Sequence, residues 1–194
     1  MTFYPENAQI PLGLRTDEFV LRMLGPRDVE LDYEAVMASK ESLRAYSGGT
    51  WPHDGFTIEE NLADLEAHER DFHARTGFTY TVMNLAESQC LGCVYLYPLK
   101  HILRRTDIGE DVLATVTDGE ANASFWARQD RHADDLDKRL LATLIPWLRK
   151  DFAFSKLWFS ALADEHRRIT VIRDAGLRLV HTYPKGDTKL MLFG

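Results

Sequence analysis

The stretch from Glu120 to Leu162 does most to constrain how this chain can fold. It reads "EANASFWAR", a polar turn, "LDKRLLATLIPWLRK" and then "KLWFSAL". The outer runs are short, apolar and aromatic, as strands are. The middle run places Leu140, Leu141, Leu144 and Leu148 on one stripe at helical spacing. A strand, an amphipathic helix and another strand make a β-α-β crossover, which sets the two strands parallel with a right-handed connection.

The remaining elements flank this unit. "EFVLRML", Glu18 to Leu24, alternates as a strand does. "GPRD" breaks it, and Asp28 is placed to cap a helix carrying Val29, Tyr33, Val36 and Met37. "YSGGTWPHDGF" is a loop. "TIEENLADLEAHERDFHARTG" is a second helix, opened by a capping box of Thr57 and Glu60, with Ile58, Leu62, Leu65 and Phe72 near one face. "FTYTVMNL" and "CLGCVYLYPL" pair as a hairpin across "AESQ". Residues 104–119 are polar and suggest no element. "DEHRRITVIRDAG" is a short helix ended by Gly176, and "LRLVHTYP" and "TKLMLF" close the chain as strands. The order β-α-α-β-β-β-α-β-α-β-β predicts an α/β (α+β) fold, a mixed central sheet flanked by helices. A chain of 194 residues without repeat or linker is expected to form one domain, 1–194, with residues 1–17 as an N-terminal arm.

Net charge of −7 argues against a general nucleic-acid binder, which needs a basic face. No apolar run approaches a membrane span, and the N-terminus lacks the pattern of a secretory signal, so a cytoplasmic protein is expected. Cys90 and Cys93 form a CxxC, but no second ligand pair is evident and the pair opens a strand-like run. They read as reduced strand cysteines, and no metal is expected. Nor do the histidines show ligand spacing.

In order and in residues the chain resembles the GNAT-type N-acetyltransferases, from Phe19 to Phe193. "FWAR", Phe125 to Arg128, stands where that family's fourth strand ends. "GCVYLYPL" is similar to its third strand. "EHRRITVIRDAGL" takes the place of its last helix, ending in Ala175, Gly176 and Leu177. The resemblance implies a single GNAT-like acyltransferase domain that uses acetyl-CoA as co-substrate to acetylate an amine of a small molecule or peptide. It also implies a cofactor site at Phe125, Trp126, Ala127, Arg128, Arg131, His132, Ala133, Lys138 and Arg139. In such a site the pantetheine pairs with a strand edge and a helix N-terminus holds the pyrophosphate.

The chain departs from the family pattern at the turn. The usual glycines fall on Ala133, Asp135 and Asp137, and the basic position falls on His132. In the last helix the asparagine position falls on Glu165 and the tyrosine position on Ile172. The family's strand glutamate falls near Asn122. Asp134 or Asp135 can instead cap the helix. Alternation puts Glu120, Asn122, Ser124 and Trp126 on one strand face, which makes Glu120, with Asn122 and Ser124, the candidate catalytic group. Trp51, Tyr95 and Tyr97 are candidates for the acceptor pocket. Arg167 and Arg168 could reach a phosphate or stand free at the surface. Two further readings stay open: a GNAT-shaped binding or regulatory protein with weak coenzyme A affinity, and a homodimer joined through the C-terminal strands, which needs an exposed apolar patch.

Overall fold

The computed structural model describes residues 3–49 and 51–194. One eight-stranded sheet organises them. Its strands are β1 (Gly13–Arg15), β2 (Phe19–Met23), β3 (Phe78–Asn84), β4 (Cys90–Pro98), β5 (Glu120–Ala127), β6 (Lys156–Leu162), β7 (Leu179–Lys185) and β8 (Thr188–Phe193), in the spatial order β1-β2-β3-β4-β5-β6-β8-β7. Every pairing is antiparallel except β5 with β6, which are parallel. That exception is the crossover expected from the sequence, and its helix is α6 (Leu136–Asp151).

Helices α1 (Val29–Ala38), α2 (Lys40–Ser47) and α3 (Ile58–Ala74) cover one face of the sheet. They bury Ala35, Val36, Leu43 and Leu65 against Met83, Cys93 and Trp126. Helix α6 and α7 (His166–Asp174) cover the other face, where Leu140, Leu144, Ile169 and Ile172 meet Val94, Phe125 and Phe159. Such apolar burial is worth about 25 cal/mol per Å² and is the main force holding the layers together. The N-terminal arm also belongs to the core: Tyr4 is fully buried, edge-on to Phe78 at 5.2 Å.

Several expectations need correction. A further helix, α2, follows α1 after Ser39 and takes in Tyr46 and Ser47, which the sequence placed in a loop. Asp28 does not cap α1; its carboxylate accepts from Arg22 and from the Gly25 amide within a short 3-10 turn. Strand β1 is too short to show alternation. Residues 99–119 hold two short helices, α4 (Leu99–Leu103) and α5 (Glu110–Thr115), whose leucines pack on Trp158, Leu162, Leu190 and Leu192. The capping box of Thr57 and Glu60 is present, with the Glu60 amide donating to Thr57 Oγ1 at 3.2 Å and the Thr57 amide donating to Glu60 at 2.8 Å. No helix among the described residues is long and apolar enough to cross a membrane. Leu179 and Val180 on edge strand β7 are exposed.

Candidate active site

The parallel pairing of β5 and β6 is short. It runs from Glu120 opposite Lys156 to Ala123 opposite Phe159 and stops, although both strands continue. Beyond Ala123 their pairing ends, and a cavity of about 330 Å³ lies beside the free end of β5. Its walls come from β5 (Phe125, Trp126, Ala127), the end of α2 (Tyr46) and the start of α7 (Glu165, Arg168).

Strand geometry presents backbone to this cavity. The Arg128 amide reaches back to Leu91 on β4 at 2.8 Å, so the alternate residues, Phe125 and Ala127, turn their peptide groups the other way. The Phe125 carbonyl accepts from Arg168, and the Ala127 carbonyl meets His132 Nε2 at 3.1 Å. These are the groups that an added strand-like ligand would pair with. Gly92 on β4 makes the approach of the neighbouring strand possible: its φ is 151°, and a Cβ there would lie 2.0 Å from the Trp126 carbonyl.

The polar side chains at the cavity form one connected group. Tyr46 Oη is 2.9 Å from Ser124 Oγ, and the Arg168 guanidinium lies 4.4 Å from the centre of the Tyr46 ring. Burial raises the Tyr46 pKa, with Arg168 and Ser124 opposing the shift, so the phenol is protonated at neutral pH. Glu165 accepts the Leu162 amide at 2.7 Å and holds Arg168 Nε at 3.2 Å. Burial raises its pKa too, against the opposing charge of Arg168. Arg168 is therefore no surface residue; its side chain is 11% exposed.

The turn before α6 is built from ion pairs. Residues Gln129–Asp134 form a 3-10 turn, and Asp135 follows with φ of 55°. Neither Asp134 nor Asp135 caps α6, in contrast to the sequence expectation. Asp134 pairs with Arg131 at 2.7 Å, and Asp135 with Lys138 at 3.3 Å. Asp137, whose side chain is 9% exposed, takes Arg167 through two bonds at 2.7 and 2.8 Å. The same guanidinium donates to the His132 carbonyl at 2.6 Å and so ties α7 to the turn.

The candidate residues separate accordingly. Phe125, Trp126, Ala127 and His132 come together at the cavity, and Ser124 is linked to it through Tyr46. Arg128 does not, being buried and bound by Glu34 of α1 and by Asp130. Arg139 pairs with Glu18 at 2.6 Å, and Ala133 is exposed on the turn. Glu120 lies at the far end of β5, where its carboxylate accepts from Thr117 and from Trp158 Nε1 at 2.8 Å. Burial raises its pKa, but these bonds outweigh burial and hold it low, which suits a structural acceptor better than a base. Asn122 is buried with no partner for its Oδ1. Trp51 stands edge-on to Phe56 at 5.7 Å. Tyr95 accepts from Trp126 Nε1 at 3.0 Å and stacks near Tyr46, whereas Tyr97 turns to His68 and Asp71. Tyr46, Glu165 and the inward turn of Arg168 lay beyond the sequence reading. The one local signal was Gly48–Gly49, which ends α2 and sets Tyr46 in its last turn.

Solved structures with this arrangement are known. The ribosomal-protein-S5-alanine acetyltransferase from Vibrio fischeri is 12% identical with a TM-score of 0.70, over 94% of this chain and 95% of that one. The ribosomal L7/L12 α-N-protein acetyltransferase RimL in complex with coenzyme A is 13% identical with a TM-score of 0.67, over 95% of both chains. This chain has the GNAT acetyltransferase fold. The microcin C7 self-immunity acetyltransferase MccE, solved with acetyl-CoA and AMP, shares the GNAT fold at 12% identity and a TM-score of 0.70, over 95% of this chain and 96% of that one. No family model and no curated protein sequence matches the chain.

Proposed function

We propose that this protein is an N-acetyltransferase that moves the acetyl group of acetyl-CoA to an amine of a small molecule or a peptide, in the cytoplasm. The observation that carries the reading is the cavity at the free end of β5, walled by the Phe125 and Ala127 backbone with a phenol and a carboxylate on its sides. The GNAT-fold enzymes named above acetylate ribosomal proteins or confer microcin self-immunity, and two of them were solved with coenzyme A or acetyl-CoA, which supports the same class of reaction here.

Acetyl-CoA supplies the activated acyl group. The Phe125 and Ala127 carbonyls accept its pantetheine amides in exchange for the Arg168 and His132 bonds, with Arg168 keeping its place over the Tyr46 ring. As the C–N bond forms and the C–S bond breaks, the Tyr46 hydroxyl gives its proton to the departing sulfur. The surplus proton of the amine goes to Glu165, whose pKa burial raises above the usual carboxylate range. Arg168 over the Tyr46 ring stabilises the phenolate that results. Arg131, Lys138 and Arg167 are the cations available to the pyrophosphate, each already shared with an aspartate, so coenzyme A binds more weakly than at a glycine-rich turn.

Those engaged contacts also favour a second reading, a GNAT-shaped binding protein that does not turn over. Thiol release from acetyl-CoA, measured with amines and peptide N-termini as acceptors, separates the two. Amine-dependent release by the wild-type chain, lost in Glu165→Gln, supports the enzyme. Coenzyme A binding without release at any acceptor supports the second reading.

A further inference from the structure

A buried cluster on the opposite side of the sheet from α6 has no part in the cleft chemistry. Register along β3 and β4 runs Thr81 opposite Cys93 and Val82 opposite Gly92, then jumps to Met83 opposite Cys90, leaving Leu91 as an extra residue. Without that bulge, Cys90 and Cys93 would face opposite sides. With it, both enter the core under α1, while Leu91 and Val94 turn to the other face. There they meet Asp32 of α1. Cys93 Sγ is 3.4 Å from Asp32 Oδ1, and the two sulfurs and the carboxylate all lie within 4.8 Å of one another.

We propose that Asp32, Cys90 and Cys93 bind a thiophilic divalent cation of the zinc class, which fastens α1 to the bulge in β4. Tetrahedral zinc, with bonds of about 2.3 Å to sulfur and about 2.1 Å to oxygen, places its ligand atoms roughly 3.5–3.8 Å apart. The Cys93–Asp32 edge has nearly that length, and the other two edges, within 4.8 Å, close by about 1 Å or less on binding. A supporting shell is in place. Asn61 Nδ2 donates to Asp32 Oδ2 at 3.1 Å, which leaves Oδ1 for the cation, and Thr81 Oγ1 stands 3.5 Å from Cys90 Sγ.

Charge supplies a separate argument. Three aspartates are buried among the described residues. Asp28 is paired with Arg22 and Asp137 with Arg167, but Asp32, 3% exposed, is paired with no lysine or arginine. Its neighbours are an amide and a thiol. An isolated carboxylate in such surroundings is costly, and a cation relieves it. The sequence concealed the site because the third ligand lies far along the chain, on another element, and the bulge is invisible without pairing.

Cobalt titration of the reduced, full-length protein tests this proposal. Stoichiometric Co²⁺ should produce sulfur-to-cobalt charge transfer and tetrahedral d–d bands, bleached by Zn²⁺. Cys93→Ser and Asp32→Asn should each weaken cobalt affinity by about tenfold or more. Absence of the bands with both thiols free, unchanged affinity in both variants, or a Cys90–Cys93 disulfide in the isolated protein would each overturn it. If the serine variant does not fold, native mass spectrometry of the wild type answers the same question. A chelator-sensitive zinc adduct on the folded charge states supports the site; metal-free mass alone under excess zinc refutes it.

Discussion

At the scale of single residues the account rests on Tyr46. It reaches Ser124 from the last turn of α2, whereas the sequence reads as a loop from Tyr46 onward because of Gly48, Gly49 and Pro52. Its role was illegible for that reason, and because the position usual for a tyrosine in this fold is Ile172, fully inside the core. Removing a positioned proton donor costs 10²–10⁴-fold in rate as a rule. Tyr46→Phe should therefore lower kcat at least about 100-fold while acetyl-CoA affinity holds. Because burial raises the Tyr46 pKa, wild-type activity should persist to higher pH than an ordinary phenol allows and then fall. A pH profile of both proteins checks this, and an unchanged kcat in the variant removes Tyr46 from the mechanism. Arg168 shows the same limit of sequence reading: an arginine in a polar helical turn looks exposed until a neighbouring strand end offers it a carbonyl.

At the scale of elements, the turn before α6 makes two adjacent acids behave oppositely. Asp135 occupies the left-handed region at φ of 55°, where glycine is at ease, and its ion pairs are largely exposed, worth about 0–1 kcal/mol. Asp135→Gly should leave the melting temperature unchanged or slightly higher. Asp137 is buried on Arg167, so Asp137→Ala leaves a charge without its partner and should cost about 1–3 kcal/mol, or roughly 2–4 °C for each kcal/mol at this chain length. A pair of thermal melts decides, and equal losses would show that both acids serve the turn alike. The longer strands and helices were legible because each carries a clear period; the short α2, α4 and α5 were not, and neither were these pairings, since charge at a turn looks the same whether it caps a helix or bridges to another one. Helix α3 gives a pH prediction. Burial lowers the His68 pKa, and Nδ1 lies 3.0 Å from Thr79 Oγ1 and 3.1 Å from Tyr97 Oη. The unfolded chain then binds a proton below about pH 6.5 that the folded chain resists, so stability falls as pH drops through 6.5 toward the lower folded value. His68→Gln should flatten the slope of melting temperature against pH between about 7 and 5. A parallel slope in both proteins would mean that His68 titrates freely in the fold.

At the scale of the whole molecule, the β-α-β unit fixed the reading early. One parallel pair in an otherwise antiparallel sheet follows from a single crossover helix, and the end of that pairing leaves the last residues of β5 as a wall of the cavity. The crossover could be read from hydrophobic spacing. The end of the pairing could not, because it falls at Ala123 and Phe159, and nothing in either strand's composition marks that point. The central claim is that the β5 edge beyond Ala123 receives acetyl-CoA as an added strand. The most direct measurement is an NMR titration of the isotope-labelled chain with acetyl-CoA, following the backbone amides of Phe125 and Ala127. The account predicts saturable shifts at both amides, with Arg168 and His132 side-chain signals released as the ligand takes their carbonyls. If those amides stay still while acetyl-CoA is present in excess, or if only surface signals move, the cleft is not its binding site.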